Sequence, residues 1–301
     1  MRMGRSVNFK DELQARTAEA NEVIKEYLPR SRGFSTELAD AMSYSLMAGG
    51  KRIRPVLMKA VFDLFEGEGW IVEPFMAAIE MIHTHSLVHD DLPAIDNDDY
   101  RRGRLTTHKV YGENMGVLAG DALLNYAYET MLQAFGLTED HEKVWRAMRV
   151  IANKTGLNGM LGGQCVDVRT DGNPKSDKML EYIYQNKTSA LIEASMMAGA
   201  MLAGADKSNV ALMEKAGRMI GLAFQIRDDI LDVIGTEEVL GKPVGSDEKN
   251  AKTTYVTFRG LEQADEDVHR LTESAVGAFD SLGRENPFLR SLLIELCSRQ
   301  A

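Results

Sequence analysis

The segment Phe224-Gln225-Ile226-Arg227-Asp228-Asp229-Ile230-Leu231-Asp232 constrains the fold more than any other. Gln225, Asp228, Asp229 and Asp232 fall at i, i+3, i+4 and i+7, so a helix carries an amide and three carboxylates on one face. Leu222, Ala223, Ile226, Ile230, Leu231, Val233 and Ile234 take the other directions. A helix apolar nearly all round is buried, and acids are rarely buried without partners. The segment therefore calls for a cleft that supplies cations or water.

The rest of the chain agrees with an all-α fold, because strand signals are scarce and apolar residues recur at helical spacing. Leu38, Ala41, Met42, Ser45 and Leu46 follow that pattern, as do Phe75, Ala78, Ile79, Ile82 and His83. So do Met115, Leu118, Ala119, Ala122, Leu123 and Tyr126. Breaks are expected at Pro29 to Gly33, Gly49 to Pro55, Gly67 to Gly69, Leu92-Pro93, Asp171 to Pro174 and Gly235 to Gly245. None is a long low-complexity linker, which predicts one domain over residues 1–301.

A second acidic segment, His89-Asp90-Asp91-Leu92-Pro93-Ala94-Ile95-Asp96-Asn97-Asp98-Asp99, ends the apolar helix that begins near Phe75. Its first carboxylates sit on the core-facing stripe, where an uncompensated charge is costly. Hard divalent cations prefer oxygen ligands, and Mg²⁺ takes one or two carboxylates together with waters and substrate phosphates. Two Asp clusters facing one cleft would hold several Mg²⁺ around a diphosphate. A calcium loop of the EF-hand kind does not fit, since Arg101 and Thr107 stand where that motif needs Gly and Glu. Basic groups occur where further phosphates would need them: Lys51 and Arg54 in Gly49-Gly50-Lys51-Arg52-Ile53-Arg54-Pro55, and Arg101 and Arg102 directly after the acidic run.

A net charge of -10 argues against a nucleic-acid binder, whose affinity comes from a Lys/Arg surplus, although metal-bearing carboxylates still receive phosphates. Cys165 and Cys297 form no metal-spacing pattern and are expected to be free structural thiols in a reducing, cytoplasmic setting. Met1 to Lys10 lacks an apolar run behind its positive charge, so no secretory signal is expected. The most apolar stretch, Ala194 to Ala205, falls short of the ~20 residues that span a bilayer.

Taken together, the motifs closely resemble the trans-prenyl diphosphate synthases, with the bacterial farnesyl diphosphate synthase type the best match. The resemblance rests on GGKRIRP at Gly49, IHTHSLVHDDLPAID from Ile82, RRG at Arg101, AGDALL from Ala119, GGQ at Gly162, KT at Lys187, FQIRDDILD at Phe224 and GKPVGSD at Gly241. It implies a bundle of antiparallel helices around a deep central cavity, usually a homodimer, with three Mg²⁺ per active site. By the family pattern, Asp90, Asp96 and Asp228 would be direct Mg²⁺ ligands, with Asp91, Asp229 and Asp232 supporting them. Arg101, Lys187, Lys242 and Lys252 would hold the allylic diphosphate. Lys51, Arg54, His83 and Arg102 would hold isopentenyl diphosphate. Thr188 and Gln225 would lie beside the reacting allylic carbon. The implied chemistry ionises the allylic C–O bond and lets the alkene of isopentenyl diphosphate attack, with the released diphosphate as base. No Ser, Cys or His nucleophile is required.

Two positions depart from the family pattern. Leu105 stands where Pro is common after the Arg-Arg-Gly turn. His85, with Ser86 beside it, occupies the tail-pocket floor, where C15-forming members carry a bulky aromatic, so C10, C15 and C20 products all stay open. A terpene cyclase or head-to-head condensing enzyme would need no Lys51, Arg54 and Arg102 set. A non-catalytic partner subunit would be expected to lose acids, whereas both motifs here are complete.

Overall fold

The computed structural model describes residues 8–234 and 253–298 and is all-α, a helical bundle around a central cavity. Helices α1 (Phe9–Glu26), α2 (Thr36–Leu46), α3 (Ile53–Leu64) and α4 (Glu73–Asp90) form the first half. A short hairpin of β1 (Tyr100–Arg101) and β2 (Arg104–Leu105) then leads to α5 (Thr107–Tyr111), α6 (Glu113–Leu132), α7 (His141–Thr155), α8 (Met160–Thr170) and α9 (Asp177–Ile183). A π-helical turn, Tyr184–Ser189, joins α9 to α10 (Ala190–Leu202), and α11 (Lys207–Ile234) follows. Helices α12 (Tyr255–Arg259), α13 (Leu261–Asp280) and α14 (Pro287–Ser298) close the described chain.

Local chemistry sets many of these ends. The Asn8 side chain accepts from the Lys10 amide at the start of α1, Ser176 from Met179 at α9, and Thr254 with Thr257 forms a capping box on α12. The expected break at Gly49 to Pro55 stops earlier than read from the sequence. Helix α3 starts at Ile53 and holds Pro55 in its first turn, where the missing N–H costs nothing. The hairpin was not anticipated. Arg102 (φ 53°) and Gly103 (φ 75°) both lie in the left-handed region, the requirement of a two-residue turn that matches strand twist. Leu105, in place of the usual Pro, pairs with Tyr100 and accepts a hydrogen bond from the Tyr44 hydroxyl at 2.7 Å.

The core is centred on α10, every residue of which is buried, packed against α3, α7 and α11. Gly199 of α10 lies against the Met58 carbonyl of α3, so the two backbones meet directly. The predicted stripe of α4 is buried at Phe75, Ala78, Ile79 and Ile82. On α6 the stripe is buried at Ala119 and Leu123, but Leu118 is exposed. Among the described residues no helix is long and apolar enough to cross a membrane.

Candidate active site

Helix α4 delivers His83, His85, Ser86 and Asp90 to a cavity of about 300 Å³, closed on the other side by Gln164 of α8 and by Lys187, Thr188 and Leu191. A neighbouring cavity of about 160 Å³ is lined by the same Lys187 and Thr188 together with Asp167, Gln225 and Asp229. The two acidic segments therefore meet at one wall, the π-turn Tyr184–Ser189. Thr188 donates its hydroxyl to the Gln225 side chain at 3.0 Å, and Gln225 reaches Asp229 at 3.4 Å. On the other side Gln164 donates to Asp90, and Lys187 holds Asp167 at 2.7 Å.

Charge is concentrated here against burial. Asp90 has its carboxyl raised above the usual range, mainly by burial and further by Asp96 and Asp167, even though Lys187 and Arg101 oppose this. Burial alone would lower Lys187, but Asp90 and Asp167 outweigh it and hold the ammonium above its usual range. Asp91 is pushed up to about 6 by burial, although Arg101 donates to it at 2.5 Å; Arg101 also reaches Asp98 at 3.3 Å. Asp96 is exposed and is tied to the helix end by its amide, which donates to the Asp90 carbonyl. Asp229, 3% exposed, accepts from the Tyr184 hydroxyl and from the Tyr255 amide at 2.8 Å. Asp232 is buried and Asp228 half-buried on the same helix.

A third cavity, about 690 Å³, opens between α1, α3 and α14. Lys51, Arg54, His83 and Arg102 line it, with Gly50, Gln14 and Phe224. Arg54 lies half-buried at the junction with the Asp90 cavity, and its Nε is buried without a hydrogen-bond partner. Burial lowers Arg54 to about 10. His83 is held neutral, well below its usual range, by burial and then by Arg54, Arg102, Arg101 and Arg52. Arg102 donates to the Gly49 carbonyl. Gly50 has φ +119°, a backbone conformation that favours glycine, and its bare Cα leaves room for the Arg102 guanidinium, which a β-carbon would have to displace.

Of the residues singled out in the sequence, Asp90, Lys187 and Thr188 share one cavity, Lys187, Thr188, Gln225 and Asp229 the next, and Lys51, Arg54, His83 and Arg102 the third, whereas Arg101 and the exposed Asp96 line none of these three. Lys242 and Lys252 lie outside the described residues. The sequence reading missed Gln164, Asp167, Tyr184 and Arg52. Gln164 and Asp167 stand at i and i+3 on α8, a helical polar pair directly after Gly162-Gly163 that could have been flagged. Cys165 was expected to be structural but is exposed, whereas Cys297 is buried.

Among the described residues no three His, Cys, Asp or Glu side chains converge as a ready-made metal cage. The donor set nevertheless suits a hard cation that shares its ligands with phosphate: carboxylates from two helices along one wall, with Asp90 carrying an ionisation penalty that an adjacent cation would relieve.

His85 is different in kind. It is 3% exposed, contacts the Gly120 carbonyl through Nδ1 at 2.9 Å, and meets the His89 ring edge-on at 4.7 Å. Burial first, and then His89, lowers it from 6.5 to about 4, against the opposing Gly120 carbonyl and Asp121. The unfolded chain protonates this ring near pH 6.5 and the folded chain only near 4, so stability is lost as pH falls through that window. Between pH 8 and 5 this ring is expected to withdraw about 2 kcal/mol of folding free energy. Urea unfolding at both pH values, on the natural chain and on His85→Ala, measures it; an equal pH dependence in the two would refute the assignment.

A sequence model of the family described as polyprenyl synthetase matches residues 35–282. The chain is 44% identical over 263 residues to a geranylgeranyl diphosphate synthase of Cyanophora paradoxa, covering 85% of this chain and 86% of that protein. It is 43% identical over 257 residues to a farnesyl diphosphate synthase of Geobacillus stearothermophilus, covering 84% of each. Its fold matches the crystal structure of a geranyltransferase from Helicobacter pylori complexed with magnesium and isoprenyl diphosphate, with a TM-score of 0.82, 30% identity and 98% of each chain covered. With two acidic helix segments on one wall, a basic cavity beside them and this likeness along most of its length, the chain belongs to the polyprenyl synthetase family of prenyltransferases.

Proposed function

We propose that this chain, as one domain over residues 1–301, condenses isopentenyl diphosphate head to tail with dimethylallyl and then geranyl diphosphate, giving farnesyl diphosphate. The observation that carries the reading is the wall formed by Lys187 and Thr188, which faces Asp90 on one side and Gln225 and Asp229 on the other, next to a separate basic cavity. Asp90, Asp96 and Asp228 would hold Mg²⁺, three ions in all, with Asp91, Asp229 and Asp232 behind them. When bound, those ions would absorb negative charge developing on the leaving diphosphate. The geranyltransferase relative crystallised with magnesium and isoprenyl diphosphate supports that cofactor.

The protein's own residues do the rest. Lys187, kept charged by Asp90 and Asp167, binds the allylic diphosphate with Arg101, and Lys242 and Lys252 would assist. The Thr188 and Gln225 oxygens, held together by a hydrogen bond beside Lys187, would turn their dipoles toward a developing positive charge. Lys51, Arg54 and Arg102 grip the second diphosphate, and neutral His83 donates one hydrogen bond to it. Leu87, Met160, Leu161 and Leu191 surround the tail and exclude water.

A C20 product is the second reading, supported by the geranylgeranyl diphosphate synthase relative and by the modest imidazole of His85 at the cavity wall. Incubation with Mg²⁺, dimethylallyl and isopentenyl diphosphate, followed by sizing of the products, separates C10, C15 and C20. His85→Ala is expected to lengthen the product and His85→Tyr to hold or shorten it. Absence of any elongated diphosphate would sink the reading, and hydrocarbon product would point to a cyclase. Exposed Leu118 and Leu132 of α6 and Trp145 of α7 support a homodimer, and the exposed thiol of Cys165 supports a reducing, cytoplasmic setting.

A further inference from the structure

The π-turn Tyr184–Ser189 is the element on which both halves of the site depend. Within it the ladder steps five residues, and fully buried Ser189 donates its hydroxyl to the Tyr184 carbonyl at 3.1 Å. The turn aims Lys187 at Asp167 and Asp90, Thr188 at Gln225 and Tyr184 at Asp229. A regular α-turn over the same residues would rotate these side chains out of register with one another.

Two glycines bear on this turn from opposite helices. A β-carbon at Gly163 of α8 would run into the backbone nitrogen of Lys187 and come within 2.9 Å of Asn186. A β-carbon at Gly221 of α11 would lie 2.5 Å from the Ser189 Cβ and Oγ. Both glycines sit inside helices at ordinary φ, where glycine weakens the helix and the backbone makes no demand for it. What each permits is the direct approach of its helix backbone to the turn.

We propose that Gly163 and Gly221 are positioning residues that clamp the π-turn, fixing Lys187 and Thr188 against the two acidic segments. This rests on the prenyltransferase reading above and adds the device that sets the diphosphate-binding cation and the Thr188 oxygen to the same wall. Ser189 is the third part of the clamp, since it spans the turn and meets Gly221.

The test uses the full chain carrying Gly163→Ala, Gly221→Ala or Ser189→Ala, with Gly277→Ala of α13 as control, because a β-carbon there meets nothing within 4 Å. Two measurements are made: steady-state kinetics with both substrates, and calorimetric binding of inorganic diphosphate with Mg²⁺. Gly221→Ala and Gly163→Ala are expected to lower kcat about 100-fold, the scale of an ångström misplacement at a reacting centre, and to weaken diphosphate binding in parallel. The KM for isopentenyl diphosphate and the control variant should stay unchanged. Ser189→Ala should give a smaller loss of the same kind, and it decides the matter if either glycine variant fails to fold. Unchanged kcat and diphosphate binding in Ser189→Ala and Gly221→Ala would overturn the clamp. So would losses that raise both KM values alike and follow a lowered unfolding midpoint. A natural chain that binds diphosphate but makes no elongated product would sink the functional reading alone, and the clamp would then be judged on diphosphate binding.

Discussion

Asp90→Ala is expected to lower kcat about a thousandfold while leaving the fold as stable as before, or slightly more so. The two halves of that expectation come from one observation. Asp90 closes α4 at a half-buried position where Gln164 donates to it, yet burial together with Asp96 and Asp167 still raises its carboxyl above the usual range. The folded protein therefore disfavours its ionised form relative to water, and removing the group removes a penalty. For function the same charge would be the principal anchor of a cation between α4 and the leaving diphosphate. Lys187 would keep Asp167 as partner and stay charged, so allylic diphosphate would still bind weakly. The KM for isopentenyl diphosphate should change much less, because Lys51 and Arg102 line a different cavity and Arg54 touches the Asp90 cavity only at the junction of the two. Steady-state kinetics over a range of Mg²⁺ and urea unfolding check the pair. A kcat within tenfold of the natural chain, or a clear loss of stability, would remove Asp90 from the role given to it.

How much of this was readable in the sequence depends on the range of the interaction that fixes each part. The polar face of α11 was legible because Gln225, Asp228, Asp229 and Asp232 repeat at helical spacing, a signal internal to one element. The Lys51 and Arg54 set was legible because a glycine pair beside cations marks a turn. Arg52, between them, was not: its role depends on Glu80, which is 28 positions away, and on Asn21. Gln164 and Asp167 were missed for the same reason, since their partners Asp90 and Lys187 are brought near only by the packing of α8. The hairpin Tyr100–Leu105 escaped because two-residue strands leave no alternation to detect. Leu118 of α6 was read as core from its spacing, but spacing marks an apolar face and does not say whether this chain or another surface covers it.

Arg52→Ala should cost about 3–5 kcal/mol of folding free energy, the largest single-residue loss expected outside the apolar core. Arg52 has no exposed side-chain surface, and its guanidinium joins three helices at once. Nη1 donates to Glu80 of α4 at 2.6 Å, Nη2 to the Leu46 carbonyl at the end of α2 at 2.7 Å, and Nε to Asn21 of α1 at 2.9 Å. Truncation would leave the Glu80 carboxylate, 2% exposed, without its direct counter-charge and the end of α2 without a donor. Lysine cannot substitute, because one ammonium on a flexible stem does not reproduce a planar fork aimed at three acceptors. The loss comes from the orphaned charge rather than from a net gain of the pair, so Arg52→Met combined with Glu80→Leu should recover most of it. Urea unfolding midpoints of Arg52→Met, Glu80→Leu and the double variant form the cycle that decides this, with Arg52→Ala measured beside them. A loss below about 1 kcal/mol for Arg52→Ala, or no recovery in the double variant, would contradict the account. The recovered double variant should still show a raised KM for isopentenyl diphosphate. Arg52 holds a left-handed backbone (φ 49°) between Lys51 and α3, and an apolar pair in the core has no means of holding that conformation beside the basic cavity.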